Sequence, residues 1–216
     1  MSVIVTANYR GETFEVEIFR DGGIDFPDRD FQYEKAVAEF APPGPTTVQF
    51  YEFWKMFPAE VICENLDLPE NSLTRLAADC AEHVLKIFED RNANDTRPRS
   101  AITATRDLLV GKISQKDIGR FLSEAEVAAN GAIGWEGTLV AEAAMATILS
   151  MSSSVEARRA MVRAISAAAR DGNPDRFSTG WKRSHDAERD WQVRRFVDCM
   201  EAIGQGKEWP DLGVTK

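Results

Sequence analysis

The sequence predicts a mainly α protein: an alanine-rich helical bundle of about six helices with a small N-terminal α+β extension. Two observations predict the bundle. From Pro69 almost to the end of the chain, apolar residues recur at three- and four-residue spacing, which is the period of an amphipathic helix. Segments such as VAEAAMA and AISAAARD are rich in alanine, whose small side chain lets helices approach closely. A third observation predicts the extension, because residues 3–20 alternate in the strand period instead.

The extension is expected to open with a β-hairpin or short antiparallel sheet. Val3 and Val5 precede a turn near Arg10-Gly11, and residues 14–18 then place apolar side chains on one face. A two-stranded hairpin is marginal alone, so a third strand or helices must cover it. Pro42-Pro43-Gly44-Pro45 is the best candidate linker. The predicted divisions are an extension over 1–45, a helical domain over 46–205 and a tail over 206–216.

Six helices are predicted after Pro69, near residues 69–90, 97–110, 114–130, 135–151, 154–170 and 184–203. The breaks between the last five are Gly111, the glycine-rich segment 130–137, the serines 152–154 and the segment 171–180. The helix near 97 has the sharpest start. Asp95 and Thr96 offer side-chain oxygens to free backbone N–H groups there, and Pro98 is tolerated only in a first turn.

The acidic charge of the chain is concentrated in its first third. The net charge is −9, and residues 1–70 carry 14 acidic and 5 basic residues, whereas residues 71–216 carry 21 of each. The first 70 residues also hold 12 of the 20 aromatic residues. The start of the chain lacks the pattern of a signal peptide, no apolar run approaches the roughly 20 residues of a membrane span, and the three cysteines do not suggest disulfides. We expect a cytoplasmic protein.

The sequence contains no recognisable catalytic or metal-binding motif. A phosphate loop, a nucleophile elbow, HExxH and CxxC are all missing. His83 lies three residues after Cys80 on the apolar side of its helix, but a zinc site needs at least three protein ligands. We therefore expect His83 to be a hydrogen-bonded core histidine, and His185 to open the last helix. Neither catalysis, a cofactor nor a metal is predicted.

Arg97 and Arg99 form the sharpest candidate site. Two guanidinium groups beside a helix start could bind an anion. They could instead pair with scaffold carboxylates, for which the candidates are Asp95 and the acidic residues of DAERDW, Glu188 first. We favour the scaffold role, with Arg106 in the same set, and keep the anion site as the alternative.

The stretch around these arginines resembles the Imm5 family of predicted immunity proteins. The residues that carry the resemblance are Cys80-Ala81-Glu82-His83-Val84-Leu85, Ile87-Phe88-Glu89, Asp95 to Ile102 with Arg106, Gly111-Lys112-Ile113, and Glu188-Arg189-Asp190-Trp191-Gln192. The resemblance covers roughly residues 75–205, so the first 70 residues lie outside it. The middle of the family pattern is rich in histidine, which is missing here. The resemblance implies an all-α fold and a role in neutralising toxins of bacterial conflict systems.

An inhibitor scaffold with an acidic, aromatic-rich extension suggests a basic protein as partner. Carboxylates steer association with a Lys/Arg-rich surface, and aromatic anchors supply buried contact. Basic surfaces of this kind belong to nucleases and other nucleic-acid machines. We hypothesise that the chain blocks a nucleic-acid-binding protein, either a toxin or a phage or host defence effector of the kind that anti-CRISPR proteins target. The candidate contact residues are Glu12, Glu15, Glu17, Asp21, Asp25, Asp28 and Asp30.

Three other functions are weighed against this hypothesis. Direct binding of nucleic acid is disfavoured, because phosphate repels an acidic chain. A small-molecule-binding protein or enzyme could use Arg97 and Arg99 to hold a phosphorylated or carboxylated ligand. A structural protein could form a homodimer through its alanine-rich helices, because sequence alone does not separate an intramolecular helix face from an intermolecular one.

Overall fold

The computed structural model describes residues 2–9, 12–19, 24–25, 71–173, 175, 178–204, 207 and 209–210. The described residues form seven helices: α1 (Ser72–His83), α2 (Leu85–Glu89), α3 (Arg97–Leu109), α4 (Gln115–Gly131), α5 (Gly134–Leu149), α6 (Ser154–Arg170) and α7 (Thr179–Gly204). Three strands precede them: β1 (Ser2–Tyr9), β2 (Glu12–Phe19) and β3 (Ile24–Asp25). The chain divides into two units, residues 68–192 and residues 1–67 with 193–216. The mainly α prediction is confirmed for the described residues.

Helix α5 lies at the centre of the unit formed by residues 68–192. It contacts α1, α2, α3, α4 and α6. Its sequence, GWEGTLVAEAAMATIL, is apolar around most of its circumference, as expected of a helix surrounded by other helices. Fully buried alanines line the packing of α5 against α1 and α6, and they include Ala77, Ala141, Ala144, Ala157, Ala160 and Ala164. The predicted close packing of small residues is therefore the core of this unit.

A single predicted helix is divided into α1 and α2. The sequence pattern suggested one helix near 69–90, but the chain turns at Val84, where φ is −95° and ψ is 0°. The N–H of Ile87 donates to the carbonyl of Val84 at 3.0 Å, which closes a three-residue turn. Neither glycine nor proline marks this point, and Val84 and Leu85 are both buried. The apolar periodicity therefore continues across the break and hides it.

Helix α7 begins five residues earlier than predicted. Its first residue is Thr179, and the hydroxyl of Ser178 accepts the N–H of Trp181 at 3.0 Å. This capping bond satisfies one of the free donors of the first turn. His185 therefore lies inside the helix, and its predicted position at the helix start was wrong.

Local chemistry sets the other helix ends where the sequence predicted them. Gly111 has a φ of +74° just after α3, a conformation that glycine adopts without steric cost. Ser114 and Asp117 then form a capping box at the start of α4. Asp117 accepts the N–H of Ser114 at 3.0 Å and its hydroxyl at 2.6 Å, which lowers the pKa of this carboxyl.

The three strands form one antiparallel sheet in the order β1-β2-β3. Ser2 pairs with Phe19 and Tyr9 with Glu12, so the first two strands are aligned over their full length. Strand β3 adds two residues, with Glu17 opposite Asp25. The remaining features of the predicted α+β extension and its boundary at residue 45 lie outside the described residues and stay predictions. Among the helices that the structure describes, none has the length and apolarity of a membrane span.

Candidate functional site

Arg97 and Asp95 form a two-pronged ion pair at the start of α3. The Nε–H of Arg97 donates to Asp95 Oδ1 at 2.8 Å, and Nη2–H donates to Oδ2 at 2.6 Å. The same Oδ1 accepts the backbone N–H of Arg97 at 3.1 Å, so Asp95 also caps the helix. The hydrogen bonds from the Arg97 side chain are the main cause of a pKa of Asp95 below its ordinary value.

Arg99 joins the first turn of α3 to the end of α2. Its Nε–H donates to Glu89 Oε1 at 2.7 Å, and Nη2–H donates to Oε2 at 2.9 Å. Its Nη1 lies 3.9 Å from Glu82 of α1. The paired geometry is the fork that a planar guanidinium makes with a carboxylate. The hydrogen bonds to Glu89 raise the pKa of Arg99, so this guanidinium stays charged.

Arg106 ties α3 to α1 through two carboxylates. Its Nη1–H donates to Glu82 at 2.5 Å, and Nη2–H donates to Asp79 at 2.7 Å. The side chain of Asp79 is only 4% exposed, so its charge depends on partners inside the fold. Burial alone would lower the pKa of Arg106, but Glu82 and Asp79 together raise it above its ordinary value.

These contacts occupy the arginines that the sequence offered as an anion site. We call the cluster the arginine brace; its members are Arg97, Arg99, Arg106, Asp79, Glu82, Glu89 and Asp95. It contains three guanidinium groups and four carboxylates, so its side chains sum to a negative charge. An open depression of about 580 Å³ lies beside it and is lined by residues 92–97, which include both partners of the Asp95–Arg97 pair. A bound anion would meet carboxylates already paired with each of these arginines.

Of the carboxylates named as candidate partners, Asp95 is the one that pairs with Arg97, whereas Glu188, ranked first among the acidic residues of DAERDW, pairs with neither Arg97 nor Arg99. Glu188 lies in α7 with its side chain 4% exposed, and its Oε2 accepts the Nδ1–H of His83 at 2.7 Å. Its Oε1 accepts the Nε2–H of Gln192 at 3.1 Å. Gln192 also donates to the backbone carbonyl of Met161 at 3.1 Å. This polar group joins α1, α6 and α7, and we call it the His83–Glu188 joint.

His83 lies at the surface and not in the core. Its side chain is 39% exposed, and its ring stacks on Trp191 with 3.6 Å between centroids and 3° between planes. The hydrogen-bonding part of the prediction agrees with the structure, but the predicted burial was wrong. The apolar spacing of α1 suggested burial, whereas α7 covers only one side of the imidazole. His185 contacts Asp186, with Nδ1 at 3.2 Å from Oδ1.

The acidic candidates of the extension are only partly placed. Glu12, Glu15 and Glu17 lie in β2, and Asp25 lies in β3. Glu17 is the register partner of Asp25 in the pairing of β2 with β3. The other three candidates, Asp21, Asp28 and Asp30, lie outside the described residues.

An exposed corner at the start of α5 was not among the sequence candidates. Ile133 is 62% exposed and Trp135 is 66% exposed. The guanidinium carbon of Arg170 lies 5.9 Å from the centroid of the Trp135 ring, within cation–π range. The sequence analysis treated residues 130–137 only as a break between helices. The signal that could have predicted this corner is a tryptophan within a glycine-rich segment between two helices.

The described residues do not form a metal centre. No group of three or more His, Cys, Asp or Glu side chains in this part of the chain could hold a metal ion. Cys80 and Cys199 are buried and are not joined in a disulfide. The site geometry is that of a braced helical scaffold with an exposed aromatic corner.

A comparison with protein families identifies this scaffold. A family model described as "Imm-5 like putative immunity protein" matches residues 67–199, which is more than half of the chain. The chain belongs to this Imm-5-like family. The resemblance predicted from the sequence is confirmed, with 67–199 replacing roughly 75–205 as the matched range. Comparisons with curated proteins and with solved structures gave no significant match.

The Imm-5-like match covers the whole arginine brace and the His83–Glu188 joint. It begins just before α1 and ends inside α7. The first 66 residues lie outside the match, and with them all seven acidic candidates of the extension. The family thus accounts for the helical scaffold, while the acidic region is an addition to it.

Proposed function

We propose that this Imm-5-like protein binds and blocks a nucleic-acid-processing protein, either a toxin nuclease or a defence effector, and that it acts without catalysis. The immunity-type role rests on the family match over residues 67–199. The nature of the target and the mode of contact are inferred from the position of the acidic charge. The target carries a basic surface, and the acidic N-terminal region meets it.

The charge distribution supports this assignment. Residues 1–70 have a net charge of −9, and residues 71–216 have none. The first 66 residues lie outside the matched family range. The net charge of the chain therefore comes from a region that the family match does not cover, while the helical part has no net charge. Within the described strands, Glu12, Glu15 and Glu17 lie in β2 and Asp25 lies in β3, so four of the acidic residues belong to one sheet. A nuclease surface shaped for phosphate carries cations.

The arginine brace supports a binding role over a small-molecule site. Arg97 and Arg99 each use two N–H groups on one carboxylate, and Arg106 uses one on each of two carboxylates. A phosphorylated ligand would compete with bonds that already have good geometry. Arg99 and Arg106 therefore fix α3 against α2 and α1, Arg97 holds the turn before α3, and the surface for the partner lies elsewhere.

The test begins with a pull-down from the native source using the full chain, followed by purification of the recovered partner. Four acidic residues of the strands are then neutralised together, as Glu12→Gln, Glu15→Gln, Glu17→Gln and Asp25→Asn. The control carries four neutralisations at accessible positions of the helical unit, at Asp90, Glu124, Glu126 and Asp186. We expect the strand variant to bind about tenfold more weakly and the control to bind like the unmodified chain.

Ionic strength provides a second readout of the same proposal. Association steered by exposed charges weakens as salt shortens the Debye length, from about 10 Å at 0.1 M to about 3 Å at 1 M. The association rate should fall across this range for the full chain and change little for the strand variant. If the strand variant and the control bind with equal affinity, or if the affinity does not change with salt, the acidic region is not part of the contact.

A further inference from the structure

The outer side of α6 presents a stripe of valines and arginines to solvent. Val155, Arg159, Val162, Arg163 and Arg170 recur at spacings that place them on one helix face. Val155 is 46% exposed and Val162 is 43% exposed. The stripe spans 15 residue steps, or about 22 Å at the rise of an α-helix.

Trp135 extends this stripe at its C-terminal end. The side chain of Arg170 lies over the ring of Trp135, so the aromatic corner of α5 and the α6 stripe are continuous. We call the combined surface the Trp135 face; it consists of Trp135, Val155, Arg159, Val162, Arg163 and Arg170. Exposed Trp beside Arg is the composition of contact residues that dominate protein interfaces. A contiguous line of exposed apolar residues marks an interaction surface more often than isolated ones do.

The corner that presents Trp135 is held in place before any partner binds. The N–H of Ile133 donates to Asn92 Oδ1 at 3.2 Å, and Asn92 Nδ2–H donates to the carbonyl of Phe88 at 3.0 Å. Gly134 has a φ of +81°, a conformation that side-chain-bearing residues rarely adopt. Because the backbone of this corner is already fixed, binding of a partner costs little conformational entropy there.

The arginines of this face retain hydrogen-bonding capacity. Arg159 bonds to Glu156 through Nη1 alone, at 2.7 Å, and its side chain is 65% exposed. The Nε of Arg163 lies 3.0 Å from Glu142, and that arginine is 45% exposed. Arg170 is not within ion-pair distance of a carboxylate among the described residues. A guanidinium has five N–H donors, so most remain available to a carboxylate from outside.

The charge of this face selects among the occupants that it could take. Its three arginines, Arg159, Arg163 and Arg170, outnumber the two carboxylates paired with them, Glu156 and Glu142, which leaves a charge of +1 in a chain of −9. A second copy packed symmetrically would bring the same arginines together, which is unfavourable. Nucleic acid would meet the overall negative charge of the chain. We propose that the Trp135 face binds a protein surface with an apolar centre and a rim of carboxylates. This inference rests on the proposed function only in requiring a protein partner.

The experiment uses two designed peptides as probes and the full-length chain as receptor. Both are fluorescent 15-residue amphipathic helices with leucines on one side; one is flanked by glutamates and the other by lysines. Three forms of the chain are compared: the unmodified chain, the four-residue strand variant, and a face variant carrying Trp135→Ser and Arg170→Gln. Binding is followed by fluorescence anisotropy, and circular dichroism checks that each form is folded.

We expect the glutamate peptide to bind the unmodified chain and the strand variant equally, and the face variant at least tenfold more weakly. A second face variant, Arg159→Gln with Arg163→Gln, should weaken it while keeping Trp135. The lysine peptide tests the acidic region instead, and only the strand variant should bind this peptide more weakly. The lysine peptide therefore tests the proposed function, and the glutamate peptide tests the present inference. Three results would overturn the inference. The glutamate peptide could fail to bind the unmodified chain, or it could bind the face variants as tightly as the unmodified chain. A 15-base-pair DNA duplex could also displace it as effectively as unlabelled glutamate peptide does.

Discussion

Arg106 donates a hydrogen bond to a buried carboxylate. Asp79 is 4% exposed and receives a 2.7 Å hydrogen bond from Arg106, and Arg106→Met removes this bond. Loss of a partner to a buried charge costs several kcal/mol, and the partial exposure of Arg106 reduces this to about 2 kcal/mol. Urea unfolding at pH 7 measures the loss. Arg99→Met is the control and should cost less than about 1 kcal/mol, because its pair with Glu89 is accessible to solvent. Equal losses of stability in Arg106→Met and Arg99→Met would contradict the role assigned to Arg106.

Asp95 should make stability depend on acid pH. Its hydrogen bonds from Arg97 hold the pKa of Asp95 below the ordinary value of 3.8, so the folded state favours the charged form. The stabilisation is fully present above the unfolded pKa and is lost as pH falls through the folded pKa. Asp95→Asn should therefore destabilise by about 1 kcal/mol at pH 7, and the difference should shrink below pH 4. Urea titrations of both proteins from pH 7 to pH 3 test this. A difference that stays constant with pH would show that the charge of Asp95 is not involved.

At the scale of elements, the His83–Glu188 joint fastens α7 to α1 and α6. His83→Ala removes the 2.7 Å bond to a buried carboxylate and the stacking on Trp191, and we expect a loss of about 2 kcal/mol. His185→Ala is the comparison variant: it removes a stacking contact with Trp181, at 4.9 Å between ring centroids, and a contact with Asp186, but no bond to a buried carboxylate, so it should cost less than about 1 kcal/mol. Hydrogen exchange of residues 184–192 should rise in the first variant only. Protection unchanged in both would mean that the joint does not fasten α7.

The element boundaries show what the sequence could and could not predict. Gly111, Ser114 and Pro98 act through local backbone chemistry, so the ends of α3 and the start of α4 were predictable from neighbouring residues. The turn at Val84 has no such signal. Pairing across the fold was also hidden: His83 and Glu188 are 105 positions apart, and spacing along a sequence does not specify which helix faces meet. The same limit explains why Glu188 was placed with the arginines and why the exposure of Trp135 was missed.

At the scale of the whole molecule, the alanine-rich faces are used inside the helical unit. Ala77, Ala146, Ala157 and Ala160 form one buried cluster that joins α1, α5 and α6. Ala160→Leu should therefore overpack this cluster and lower stability by about 1–3 kcal/mol without changing the molecular mass measured by light scattering. Ser123→Leu on the exposed side of α4 is the control and should have little effect on stability. A change in mass with unaltered stability would instead favour a homodimer built on these alanines.

The charge of the whole chain has two opposite local features. The first 70 residues carry −9, whereas α6 carries +3 on a helical unit that is close to neutral. An immunity-type protein with both features can engage a partner through steering at one surface and a buried aromatic contact at another. The arginine brace ties α3 to α1 and α2, and the His83–Glu188 joint ties α7 to α1 and α6.

Inhibition of the purified partner is the most direct test of the central claim. The partner's cleavage of nucleic acid is measured against increasing amounts of the full chain and of the strand variant at physiological salt. The account predicts that the full chain stops cleavage at close to equimolar ratio and that the strand variant requires about ten times more. Cleavage that continues at saturating amounts of the full chain would contradict it.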